Sequence, residues 1–142
     1  MNILTERLPD TVTVDGSQYP IHTDFRTWIV FEGLISDNVT PMVERMTTML
    51  ELCYIEPPKP SIEAVMELIA FYMGNRKQGQ GGGENKAGKP NYSFEHDAEY
   101  IYAAFFTQYH IDLQTADLHW YQFKALFAAI DDTTMFGKIL SY

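Results

Sequence analysis

The chain has a single cysteine, Cys53, among 142 residues. No intrachain disulfide is available to it, and nothing points to an oxidising compartment. Basic residues are scarce: ten Lys and Arg stand against nineteen Asp and Glu, a net charge of −9. An acidic surface repels phosphate backbones, which argues against nucleic acid as a partner. No window approaches the roughly eighteen apolar residues that a bilayer-crossing helix needs. Residues 1–10 meet charges and a proline too early for the apolar stretch of a signal peptide. A soluble, cytoplasmic protein with no membrane partner is expected.

The arrangements that chemistry requires are missing too. His22, His96, His110 and His119 never fall at the i, i+4 spacing that puts two imidazoles on one helix face, so no metal site is expected. There is no Gly-x-Ser-x-Gly turn, and Cys53 sits in the middle of an apolar stripe that would keep it a thiol. Asp131 and Asp132 are sequence neighbours that point apart, so they do not make an acid/base pair. The glycines at 79 and 81–83 lack a following Gly-Lys-Ser/Thr and do not follow a strand, as a phosphate loop would. The expectation is a protein that is not an enzyme and has no catalytic residues and no cofactor.

What the chain does contain is apolar surface, with 46% hydrophobic and 14% aromatic residues. That is enough to close a core in a chain of one-domain length. Thr11, Val12, Thr13 and Val14 alternate up to Asp15-Gly16, and Ser17 to Ile21 follow. This pattern predicts a β-hairpin in which Pro20 confines its strand to an edge. Helical spacing then takes over, with Asp24 as the expected cap for Phe25, Trp28, Ile29, Phe31 and Ile35. Thr40-Pro41 opens a second helix with an inner stripe of Met42, Val43, Met46, Met49, Leu50 and Cys53. Prolines 57, 58 and 60 stop it, Ser61 caps a third helix reaching Tyr72, and Gly74 ends that one.

Residues 75–91 hold no large apolar side chain and carry four basic residues against one acidic. They read as a flexible Gly/Lys-rich linker between two acidic parts, 1–74 at −7 and 92–142 at −5. Beyond it, Ser93 is the expected cap of a helix striped by Phe94, Ala98, Ile101, Phe105 and Tyr109. A loop over 110–115 leads to a second helix carrying Trp120, Phe123, Leu126, Phe127 and Ile130, and residues 135–140 add a short final turn. The predicted fold is therefore mainly α: an N-terminal β-hairpin, about five or six helices, and a linker splitting the helical set. The parts are 1–74, 75–91 and an aromatic-rich 92–142 packing back on the first.

Thirteen of the twenty aromatic residues lie in 92–142, and Tyr100, Tyr102, Phe106 and Tyr121 fall off the main stripes. Large rings on a second helix face suggest contact with another chain, so these four are the candidate partner-binding residues. A homo-oligomer is one way to cover them.

Residues 91–105 (NYSFEHDAEYIYAAF), 109–113 (YHIDL) and 118–126 (LHWYQFKAL), with the opening residues 1–9, the hairpin and Thr23-Asp24-Phe25-Arg26, carry a family likeness. The chain resembles small tail proteins of long-tailed phages and prophages of Gram-positive hosts, in the tail-assembly-chaperone group encoded just before the tape measure gene. The resemblance implies a non-enzymatic factor in the host bacterial cytoplasm. It would mask apolar helical surface of the tape measure protein while tail tube protein assembles around it. The alternative is a head-tail connector or minor tail component kept in the virion.

Overall fold

A computed structural model describes residues 2–74 and 94–130. The chain divides into two compact units, Met1–Lys77 with Leu118–Tyr121, and Gln78–Asp117 with Gln122–Tyr142. Among the described residues there are five helices and one two-stranded sheet, so the fold is mainly α with an N-terminal β-hairpin, as the periodicity implies. The expected linker at 75–91, the cap at Ser93 and the turn at 135–140 lie outside the described residues.

The first unit opens with β1 (Thr11–Val14) and β2 (Ser17–Pro20), paired antiparallel from Thr11 opposite Pro20 to Val14 opposite Ser17. Asp15 and Gly16 both take positive φ, 50° and 78°. That is the turn whose twist matches the flanking strands, and Gly adopts it without steric cost. Val12 and Val14 turn inward and are buried. The Asp15 N–H donates to the Glu63 carboxylate at 3.1 Å, which ties the turn to the third helix.

Three helices follow: α1 (Phe25–Ser36), α2 (Met42–Cys53) and α3 (Ile62–Tyr72). Trp28, Phe31 and Phe71 form the aromatic centre, with ring centroids 4.9 Å apart for Trp28 and Phe31 and 4.6 Å apart for Trp28 and Phe71. The Trp28 indole donates to the His22 carbonyl at 2.8 Å, and the buried Tyr54 hydroxyl donates to the Ala64 carbonyl at 2.7 Å. Each polar tip thus keeps a partner inside an apolar body, which avoids the cost of an unmatched buried donor. Ser61 caps α3 as expected, accepting from the Ala64 N–H at 3.1 Å, and Gly74 follows its end at φ 79°.

Two expected caps are corrected. Asp24 occupies the N-cap position of α1, but its carboxylate makes no cap hydrogen bond and instead accepts from Arg26 at 2.9 Å. A charged donor two residues away outcompetes the neutral helix N–H. At the second start Pro41, not Thr40, is the N-cap, and α2 begins at Met42. The Asp37 carboxylate organises this junction, accepting from the Val39 and Thr40 N–H groups at 2.8 and 3.1 Å. Hydrogen bonds from Thr40 and then Val39 hold its pKa down to about 2.

Residues 118–121 belong to this first unit, although the composition break places them with the last third. The Phe25 N–H donates to the Leu118 carbonyl at 3.1 Å and the Trp120 N–H to the Thr23 carbonyl at 2.8 Å, so the two segments run antiparallel. The Trp120 indole is buried, stacks on Tyr72 at 5.6 Å and donates to the Tyr72 carbonyl at 3.0 Å. Trp120 also begins the last helix, α5 (Trp120–Ala128).

The second unit contains α4 (Ala98–Tyr109) and the remainder of α5. Asp97 is the N-cap of α4, so this helix starts later than a cap at Ser93 implies, and residues 94–96 form a turn ahead of it. His110 closes α4 in the left-handed conformation at φ 59°. Its core stacks Phe105 on Phe123 at 5.1 Å, with Ile101 and Ala104 beside them in the buried set. The Gln108 amide donates to the Ala129 carbonyl at 2.9 Å, and the Tyr109 hydroxyl donates to that of Leu126. The Leu126 carbonyl also accepts from the Ala129 N–H at 3.2 Å, so both side chains of α4 bond the backbone at the end of α5.

Candidate interaction surface

The predicted inner stripe of α2 divides in two. Met49, Leu50 and Cys53 are buried, whereas Met42 is 65% exposed, Val43 is more exposed still, and Met46 is half-buried. Burial of the whole stripe is therefore corrected: the first turns of α2 carry an apolar face that the first unit does not cover. On α3, Ile62 is 67% and Met66 54% exposed, while Val65 and Leu68 point inward.

These residues meet in a groove of about 310 Å³. One wall is Met42, Met46 and Met49 of α2, the other Ile62, Val65, Met66 and Ile69 of α3, and Ile35 comes from the end of α1. Four of the seven methionines of the chain line it. Methionine is unbranched and polarisable, so such a lining reshapes itself to different apolar guests. The one charged group in the lining is Arg45. Its guanidinium is committed to the backbone, donating to the Thr40 carbonyl at 3.0 Å and the Leu34 carbonyl at 3.2 Å. It thereby caps the C-terminal end of α1. The groove is accordingly apolar in chemistry as well as in shape.

The four aromatic residues singled out from the sequence do not form one patch. Tyr100 and Phe106 are 45% and 51% exposed on α4. Six positions apart, they sit about 120° apart around the helix. Tyr102 stacks on Phe106, centroids 6.4 Å apart, and its hydroxyl donates to the Asp112 carboxylate at 2.9 Å. That hydrogen bond raises its pKa. Tyr121 is part of the first unit's packing: it stacks on Phe71 at 4.9 Å and donates to the Phe71 carbonyl at 2.9 Å. Burial pushes its pKa up to about 12.

The histidines also separate. His119 is held from both ring nitrogens: Nε2 lies 2.7 Å from the Pro9 carbonyl, and Nδ1 accepts from the Tyr121 N–H at 2.9 Å. These partners suit a neutral ring protonated on Nε2, and burial lowers its pKa. Cys53 is fully buried and its thiol is pushed up to about 12 by desolvation. Among the described residues no three His, Cys, Asp or Glu side chains gather as a metal site would require, and no helix is long and apolar enough to cross a membrane.

The groove escapes sequence reasoning because a stripe at helical spacing looks the same whether its whole length is covered or only half. The usable signal is the residue type, methionine at 42, 46, 49 and 66 where leucine would pack as well.

Fold and surface together define a mainly α protein with an N-terminal hairpin that keeps an apolar, methionine-lined groove open to solvent. The chain belongs to the bacteriophage Gp15 protein family, which it matches over residues 4–142. It is thus a phage protein. No curated protein and no solved structure matches it.

Proposed function

We propose that this phage protein is a tail assembly chaperone that acts without catalysis in the host cytoplasm. It covers apolar helical surface of the tape measure protein and gives that surface up as tail tube subunits assemble. The observation that supports this reading is the open groove: an acidic protein that leaves Met42, Ile62 and Met66 in water has apolar surface to offer a second chain. A long helical protein with an unaccompanied apolar stripe aggregates, and a binder of that stripe holds it soluble by mass action. Exchange with tube subunits that compete for the stripe needs no nucleotide.

Co-expression with the long helical tail protein of the same phage provides the test. The chaperone reading expects that protein to be soluble and to co-purify with this chain, and to precipitate without it. It also expects the chain to be missing from purified particles. A fixed copy number in the virion by mass spectrometry would replace this reading with a head-tail connector or minor tail component.

A further inference from the structure

We infer that the groove between α2 and α3 takes an amphipathic helix whose apolar stripe is flanked by lysine and arginine. The shape and lining set the first half of this recognition. The groove runs between two helices, is open along Met42, Ile62 and Met66, and is walled by thioethers that adapt to the guest. Such a surface selects for apolar side chains recurring at i, i+3 or i+4, and i+7, and tolerates variation in which ones they are.

Charge sets the second half. The helices α2 and α3 carry four acidic residues, Glu44, Glu51, Glu63 and Glu67, against the single Arg45, a balance of −3; none of the four lines the groove, and the Glu63 carboxylate accepts from the Asp15 N–H, so they act through the field of the whole unit. Because the Arg45 guanidinium is committed to the Leu34 and Thr40 carbonyls, it does not serve as an anchor for an acidic guest. Residues 1–74 as a whole hold four basic against eleven acidic residues, −7. A helix with basic flanks is therefore steered toward the unit that carries the groove by its net negative field. A second copy of the chain, itself at −9, brings like charge against like. The inference rests on the chaperone reading in one respect, that the helix belongs to the tape measure protein.

The test uses the full chain and labelled peptides of about twenty residues, read by fluorescence anisotropy. One peptide has a leucine stripe with lysine flanks, a second the same stripe with glutamate flanks, and a third lysine flanks with serine in place of the stripe. The first is expected to bind, the second about tenfold more weakly at low salt with the gap closing as ionic strength rises, and the third not at all. Met42→Glu and Met66→Glu, both at exposed positions, should weaken the first peptide about tenfold or more while leaving circular dichroism and melting intact. Met66→Leu should retain binding.

Equal binding by the glutamate variants, or equal affinity for both leucine-striped peptides, overturns the inference. So does a dimer in sedimentation that Met66→Glu dissociates, which would assign the groove to a second copy. The same variants separate the two readings in co-expression. If they keep the tape measure protein as soluble as the wild-type chain does, the groove assignment fails and the chaperone reading stands. If the wild-type chain binds the basic peptide but leaves the tape measure protein insoluble, the chaperone reading fails and the groove belongs to another basic helix.

Discussion

Truncating Trp120 asks whether a residue from the last third of the chain is part of the first unit's core. Its ring is buried, stacks on Tyr72 and donates to the Tyr72 carbonyl at 3.0 Å. Trp120→Ala removes the ring and the hydrogen bond together, a loss of about 3–5 kcal/mol for a buried aromatic. Trp120→Phe keeps most of the ring packing and loses mainly the donor, about 1–2 kcal/mol. With a urea m-value of about 1.5 kcal/mol/M, the alanine variant should lower the unfolding midpoint by roughly 2–3 M. Fluorescence is the natural probe: the chain has two tryptophans, and once Trp120 is replaced the fully buried Trp28 alone reports on the first unit. Tyr100→Ala, in the same third but half in water, should stay within about 0.5 kcal/mol of wild type. A Trp120→Ala midpoint indistinguishable from wild type, or a Tyr100→Ala loss of equal size, would refute the packing argument.

Other outcomes follow from individual contacts. Ser61→Ala deletes the acceptor for the Ala64 N–H and should cost about 1 kcal/mol in urea unfolding, with Ser61→Asp recovering most of it. His119 has its folded pKa lowered by burial, so the unfolded chain binds the proton more readily. Stability should fall as the pH drops below about 6.5 and level off below the folded pKa, and His119→Gln should flatten that part of a urea-midpoint series. Cys53, buried with its thiol raised to about 12, should resist a thiol reagent in the native protein and react at the rate of unfolding; fast labelling without denaturant would contradict its burial.

Features written in neighbouring residues are legible before any coordinates. Asp15-Gly16 makes the hairpin turn, Ser61 caps α3 and Gly74 follows its end, because each depends on backbone preferences over three or four positions. Asp24 is misread since a nearby Arg26 offers a stronger partner than the helix N–H. The depth of cover over α2 is invisible because periodicity gives the direction of a face and not the reach of its neighbours, which is why Met42 and Val43 look like core. Tyr121 appears surplus because its partner, Phe71, lies fifty positions away. Ring count is easy to read, whereas exposure emerges only from tertiary packing.

The return of residues 118–121 to the first unit has a consequence during synthesis. The ribosome makes Phe71 and Tyr72 forty-nine residues or more before Tyr121 is added, an interval of roughly 2–10 s at bacterial elongation rates. Throughout it, the slot that Trp120 will fill has no occupant from its own chain. The nascent first unit is therefore greasier than the finished one, and the last step of its maturation waits on translation rather than on folding speed.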